Sequence, residues 1–484
     1  MKTSLSKNAV FYLIYNLLNV LFPFITGIYA ARVLLPTDIG QVEVARNISN
    51  YFITFSLLGI PTYALRECSK LRSDKDGLSK LFSELFIINT LSVSAFLVLY
   101  FSLIISVPAY RENLPLFLIT GFGITLNYLY VSWLYEGLER FDFISIRNII
   151  FKALCFVLLI VFVHGSKDIY IYAAISVFGT AGNYLINFVF AKRYVRFTFS
   201  NLNLKKHVKP IIILALTYLA IELYSMVDIT MLGWFCSKES VAFYVYASRI
   251  KSILLQIFNT FTIIVVPRLV LYFKNKNKEG FNSLLSKTLN IIIFLAVPSI
   301  VGIWFVSDSF LVSIYGEAYI STSIILKILS FTCLISPIGY LLGSRVCLIT
   351  NNESKMLAPL IVGAVSNIIL NAALIPIYDA AGAAIASVTS ELLVALIYIL
   401  RTRKYIFINI QFREYLRIAF ATIVMGAFLF ITLFIPFSNT YIKLLIQITG
   451  SIFIYYLLSL FTKEDVSLIS IGVAKRFLFK RARI

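Results

Sequence analysis

The sequence predicts an all-α polytopic membrane protein: about fourteen transmembrane helices, arranged as two pseudo-symmetric six-helix bundles plus two C-terminal helices. Three observations lead there. Hydrophobic residues make up 60% of the 484 residues and charged residues only 14%, with a mean hydropathy of +0.88; a soluble domain carries about 25% charged residues. Apolar runs long enough to cross a bilayer recur along the whole chain, separated by short gaps rich in Lys and Arg. The second half of the pattern echoes the first.

The runs fall at 9–31, 42–65, 82–107, 116–138, 144–163, 169–191, 210–234, 242–266, 288–307, 320–347, 356–375, 380–400, 415–435 and 440–461. The first is too long for a signal-peptide core and lacks a cleavage site, so it reads as a retained membrane helix. The least marked division is at Pro376-Ile-Tyr-Asp379, between the eleventh and twelfth runs. The basic stretch 192–209 closes a first set of six runs. The expected organisation is an N-terminal bundle at 1–200, a C-terminal bundle at 201–404, and a final pair of helices with a basic tail at 405–484.

The gaps also orient the chain. With the N-terminus in the cytoplasm, 32 of the 43 Lys and Arg fall in cytoplasmic segments, five in external ones and six inside helices. This asymmetry puts both termini inside. It also accounts for the net charge of +20, so the charge does not indicate a nucleic-acid partner. Trp133, Trp234 and Trp304 lie near helix ends, where indoles favour the interface. Five cysteines, mostly in apolar runs, form no disulfide framework. His164 and His207 are the only histidines, and no metal-ligand spacing is present.

Polar residues inside the apolar runs carry the functional signal, because a charge in a membrane costs roughly 3 kcal/mol and usually faces a bundle interior or a wet cavity. The stretch 39–50, IGQVEVARNISN, puts Glu43, Arg46, Asn47 and Asn50 at i, i+3, i+4 and i+7, one helical face. The stretch 241–250, VAFYVYASRI, resembles it: Ile39 aligns with Val241, Gly40 with Ala242, Ala45 with Ala247 and Ile48 with Ile250, and Arg46 falls one place from Arg249. Later in each half, Asp168 precedes Ala173-Ala174-Ile175-Ser176 and Asp379 precedes Ala383-Ala384-Ile385-Ala386-Ser387. These matches suggest parallel repeats with a site between them. The first run carries Asn16 and Asn19, the seventh Glu222 and Asp228, the eighth Lys251, the twelfth Glu391. Each has a structural alternative. Glu43 can simply neutralise Arg46, the asparagines can bond between helices, Lys251 can snorkel to a surface, and Asp228 can be solvated at its helix end.

Fixed arginines in a cavity suit a phosphate-bearing headgroup, since guanidinium binds phosphate through paired hydrogen bonds and stays charged. Buried carboxylates would suit a cation-coupled pump, an alternative that Glu43, Glu222, Asp228 and Glu391 keep open. No GxxxxGK[ST] loop, nucleophile elbow or zinc motif occurs, so neither an ATPase nor an enzyme is expected, and no cofactor. The external loops are too short for a membrane polymerase.

The run ARVLLPTDIG at 31–40, LGIPTYALRE at 58–67, WLYEGLERFDFISIRNIIFK at 133–152, DITMLGWF at 228–235 and NIILNAALIPIYDAAGAAIAS at 367–387 resemble bacterial polysaccharide flippases of the Wzx type. That group is related to lipid II flippases and to multidrug and toxin exporters. The resemblance implies a V-shaped pair of bundles with a cationic cavity. It also implies an alternating-access cycle carrying undecaprenyl-diphosphate-linked oligosaccharide from the inner to the outer leaflet of a bacterial cell membrane, for capsule, exopolysaccharide or O-antigen synthesis. A polysaccharide polymerase and glycosyltransferases would be its partners, besides the lipid bilayer. In the related lipid II flippases, arginines of helices 2 and 8 are associated with diphosphate binding; the matching positions here are Arg46 and Arg249. Those relatives carry further arginines in helix 1, where this chain has asparagines and only Arg32 at the outer end, which favours the polysaccharide branch. The candidate substrate contacts are therefore Arg46, Arg249, Arg32, Lys251, Asn16, Asn19, Asn47 and Asn50, and the candidate ion-coupling groups Glu43, Glu222, Asp228 and Glu391.

Overall fold

The fold is that of a computed structural model, which describes residue 19 and residues 21–352, 355–407, 412–437 and 439–468. Regular structure among the described residues is all helical. Among the described residues nine helices are long and apolar enough to cross a membrane, and three shorter helical stretches are apolar. The helices group into two compact units, Met1–Ala242 and Phe243–Ile484.

The first unit contains α1 (Leu21–Val33), α2 (Pro36–Ser56), α3 (Ile60–Lys70), α4 (Lys75–Ser106), α5 (Pro108–Arg111), α6 (Leu114–Leu126), α7 (Ser132–Gly137), α8 (Phe141–Phe162), α9 (Ile169–Ala181), α10 (Asn183–Ala191) and α11 (Lys205–Phe235). Local chemistry sets the ends. Pro36 opens α2, where its missing N–H costs nothing, and the Asp38 carboxylate accepts from the Leu35 amide at 3.1 Å. Asp74 caps α4 by accepting from the Gly77 amide at 2.9 Å. α2 and α3 are separated by Leu58 and Gly59, both at positive φ, with Pro61 just beyond. A Cβ on Gly59 would lie 2.9 Å from both the Ala215 amide and Leu214 Cβ, so α11 packs against the bend itself.

One end of this unit is closed by Ile60, Tyr63, Phe82, Leu85, Trp133, Leu134 and Ile211, from α3, α4, α7 and α11. Trp133 is 2% exposed within this core, so it is not the interfacial indole that its place near a helix end suggests. The basic segment after α10 is laid along α4. The Arg196, Thr198 and Asn203 amides donate to Ser79 Oγ (3.1 Å), Ser83 Oγ (2.9 Å) and Glu84 Oε1 (2.7 Å). Glu84 Oε2 also accepts from His207 Nε2 at 2.8 Å and Lys206 Nζ at 2.9 Å, and the Tyr63 hydroxyl lies 2.6 Å from His207 Nδ1.

The helix α12 (Lys238–Ile264) leads into the second unit. There follow α13 (Val266–Lys274), α14 (Lys278–Ile314), α15 (Thr322–Leu329), α16 (Thr332–Gly339), a π-helical turn at Tyr340–Arg345, α17 (Val346–Ile349), α18 (Leu357–Thr402), α19 (Phe412–Phe434) and α20 (Thr440–Phe461). The division expected near Pro376 is a sharp break inside α18: Asp379 takes φ 53 and ψ −137. α19 and α20 pack on α14 through Phe294, Ile418, Met425, Leu429 and Tyr455, and the Tyr455 hydroxyl donates to the Phe294 carbonyl at 2.7 Å.

A close helix contact in this unit uses Gly339 and Gly343, four residues apart, against Ala395 and Tyr398 of α18. A Cβ on Gly343 would sit 2.1 Å from Tyr398 Cβ, which cannot swing aside. Gly343→Ala is expected to lower the thermal midpoint of the purified protein, at a cost of roughly 1–3 kcal/mol of overpacking. Gly302→Ala, where nothing lies within 4 Å, should leave it unchanged or raise it. A scanning-fluorimetry comparison of the two variants checks this.

Candidate functional site

In the first unit, Arg46 Nη1 donates to Glu43 Oε1 at 3.0 Å, and Glu43 is the more deeply buried partner. The sequence left Glu43 between ion coupling and charge neutralisation; the structure shows the pair. Asn47 is buried and points at α11, with Nδ2 donating to Thr230 Oγ1 at 2.8 Å and to the Met226 carbonyl at 3.2 Å. The Tyr51 hydroxyl, one turn on, meets the same Thr230 hydroxyl at 3.0 Å. Asp228 is buried on α11, and it and Glu222 are the two carboxylates acting on Tyr51. This stripe is thus a polar seam between α2 and α11. Asn50 is half-buried one turn beyond Asn47, and Arg32 is exposed near the end of α1. Asn16 lies outside the described residues.

Asn19 leads to a group that the sequence reading did not single out. Its Oδ1 accepts from Lys152 Nζ at 2.7 Å and from Asn148 Nδ2 at 3.2 Å, both on α8. The Lys152 ammonium also stands 5.3 Å from the centre of the Phe22 ring. Arg147, Asn148 and Lys152 are all buried, Lys152 at 7% exposure. Lys152 lies about 16 Å along α8 from Phe141, near mid-helix, at 1.5 Å per residue. Arg147 stacks on Phe143 at 5.6 Å and interacts with Glu136. The signal available was an asparagine and a lysine spaced i, i+4 inside an apolar run, which puts both on one face.

In the second unit, the Arg249 guanidinium lies 5.1 Å from the centre of the Tyr246 ring. Tyr246 packs on Tyr315 at 4.5 Å and Tyr319 at 4.9 Å, so Arg249 is presented by a cluster of buried tyrosines. Tyr244, also on α12, shares a hydrogen bond of 3.0 Å with Ser387 of α18. Lys251 is half-buried. Glu391 accepts from Ser336 Oγ at 3.0 Å, and both Glu391 and Arg345 act on Tyr340 in the π-helical turn. Among the described residues no cluster of His, Cys, Asp or Glu could hold a metal ion, and no disulfide joins the cysteines.

The two units therefore carry cations on apolar helices: the buried Arg147 and Lys152 and the half-buried Arg46 in one, the half-buried Arg249 and Lys251 in the other. Residues 5–273, more than half of the chain, match the family of polysaccharide biosynthesis proteins. The chain belongs to that family. It is 24% identical over 411 residues, 83% of this chain and 97% of the relative, to a protein of Escherichia coli (strain K12) whose name assigns it provisionally to O-antigen transport. It is 22% identical over 237 residues, 49% of this chain and 50% of the relative, to a Haloferax volcanii protein named as a probable low-salt glycan biosynthesis flippase, Agl15. In fold it is similar to the lipid II flippase MurJ, inward closed conformation, with a TM-score of 0.74 at 18% identity over 95% of this chain and 100% of the other. A multidrug resistance MATE family transporter in its inward-facing conformation gives 0.63 at 15% identity over 81% and 93%. The all-helical membrane fold is that of these transporters.

Proposed function

We propose that this protein is a flippase that moves a polyprenyl-diphosphate-linked oligosaccharide from the inner to the outer leaflet of a bacterial cell membrane, supplying surface polysaccharide synthesis. The observation that carries the reading is the family match together with the near end-to-end similarity to a protein named for O-antigen transport. The buried and half-buried cations agree with it chemically. Guanidinium groups such as Arg46 and Arg249 offer paired donors to a phosphate, and a lysine adds point charge.

In this reading Arg46, Arg249, Lys251, Lys152 and the asparagines 19 and 50 contact the cargo, with Arg32 at the outer rim, while Asn47 serves the seam between α2 and α11. Glu222, Asp228 and Glu391 are the groups able to take a coupling cation. Both termini lie in the cytoplasm, on the ground of the Lys and Arg asymmetry. With the cytoplasm negative, outward movement of a diphosphate carrying two charges is downhill by about 4–5 kcal/mol per 100 mV. The protein performs no bond chemistry; glycosyltransferases build its cargo and a polymerase consumes it.

The test is complementation of a flippase deletion, read as surface polysaccharide against membrane expression. Arg46→Ala alone would strand the buried Glu43 carboxylate and destabilise the fold, so the useful variant is the double Glu43→Gln/Arg46→Gln. The double variant and Arg249→Gln are each expected to cut surface polymer at least tenfold at normal expression. Full polymer from both overturns the assigned contacts. Drug resistance conferred by the wild type, and lost in Glu222→Gln or Asp228→Asn, would point to a cation-coupled exporter instead.

A further inference from the structure

The second unit contains a cavity of about 620 Å³ at the ends of three of its helical stretches. Its walls are the end of α13, the first turns of α14 and the segment 404–407 that follows α18. The segment is held in place by Asn282, whose Oδ1 accepts from the Phe407 amide at 2.9 Å. The corner between α13 and α14 is set by Lys276 at φ 54 and by Asn277, which caps α14 by accepting from the Gly280 amide at 2.8 Å. The volume is that of an ordinary ligand pocket.

Its lining has two chemistries. Lys274, Lys276, Lys278 and Lys404 contribute four ammonium groups, all on exposed side chains. Phe273 and Phe407 stand beside them at 39% and 65% exposure, and Phe281 forms the buried floor. Along α13 the outer face continues apolar through Val270 and Leu271, both exposed. Glu279 is the acidic neighbour on α14, so positive charge predominates. Helix ends of this kind lie at headgroup depth, where lysines reach phosphate while aromatic rings face the acyl region. A nucleic acid or a free anion would use the lysines but leave the exposed phenylalanines in water. An amphipathic anion uses both.

We propose that this pocket binds the phosphate headgroup of an anionic membrane phospholipid, with the four lysines around the phosphate and the acyl chains along Phe273, Phe407 and the outer face of α13. The ligand is a resident of the bilayer, and its binding is independent of what the chain transports. Each lysine near a membrane surface contributes about a fivefold gain in affinity for anionic lipid.

The test is native mass spectrometry on the detergent-purified full chain titrated with phosphatidylglycerol, phosphatidylcholine, undecaprenyl diphosphate or inorganic phosphate. Phosphatidylglycerol is expected to bind at least tenfold more tightly than phosphatidylcholine. The quadruple variant K274Q/K276Q/K278Q/K404Q should lose that preference, while a charge-matched control in the first unit, K75Q/K80Q/K192Q/K209Q, keeps it. Thermal midpoints of both variants, measured without added lipid, show that loss of binding is not loss of fold. Equal binding of the two phospholipids, or an unchanged preference in the quadruple variant, overturns the proposal. Displacement of bound phosphatidylglycerol by stoichiometric undecaprenyl diphosphate reassigns the pocket to a transport substrate and overturns it too. Full competition by inorganic phosphate makes it a free-anion site, with the same consequence.

Discussion

Lys152→Met is expected to leave a folded, membrane-inserted protein that delivers at least tenfold less polymer to the cell surface. Lys152 is buried near the middle of α8, where its ammonium donates to Asn19 Oδ1 at 2.7 Å. Holding a charge there costs free energy that only a function or a favourable partner offsets. Replacing a buried charge by an apolar side chain of similar volume is often neutral or stabilising. A purely structural lysine would therefore give a variant of equal or higher thermal midpoint with normal transport. A lysine that meets the diphosphate gives the same midpoint with transport lost. Measuring both quantities on one variant separates the two roles, and retained polymer output removes Lys152 from the site. Asn19→Ala provides a second reading: it takes away the amide oxygen that orients the ammonium but leaves the charge, so a partial loss is expected.

Glu84→Ala should be the most destabilising single substitution in the first unit. The side chain is fully buried at 0% exposure and its carboxylate accepts from the Asn203 amide, His207 Nε2 and Lys206 Nζ. Truncation leaves the His207 ring, only 2% exposed, without its carboxylate acceptor, while the exposed Lys206 and Asn203 turn to water. Removing one partner of a buried charged network costs about 3–5 kcal/mol. The expected readouts are a large drop in thermal midpoint and rapid proteolysis in the basic segment 192–209, which Ser79, Ser83 and Glu84 hold against α4. Glu67→Ala is the control. Its partners Arg66 and Lys70 are on the surface, at 58% and 61% side-chain exposure, so the loss should stay within about 1 kcal/mol. Equal midpoints for the two variants would show that the buried network contributes no more than a surface pair.

The elements were legible because their causes are local. The apolar runs are mostly helical over their described parts, but 42–65 breaks at 57–59 and 116–138 at 130–131; the bends at Leu58-Gly59 and at Asp379 fall beside a glycine or a proline. The site was legible only in outline. Spacing put Glu43, Arg46 and Asn47 on one helix face and offered the Glu43–Arg46 pair as one alternative, but not that Asn47 turns to Thr230. Lys152 was visible as a charge in an apolar run, but nothing in the spacing tied it to Asn19, more than a hundred residues earlier.

By itself the sequence determined that the chain is a membrane protein and roughly where its apolar helices run, since hydropathy, proline and glycine act over a few neighbouring residues. Tertiary structure alone decided which face of each helix turns inward and which polar groups meet. The reason is the solvent. In water an apolar stripe points to the core, but in a bilayer both lipid and protein interior are apolar, so the stripe loses its direction. Partners such as Glu84 with His207 and Lys152 with Asn19 are then selected by packing between distant segments, which no local pattern records.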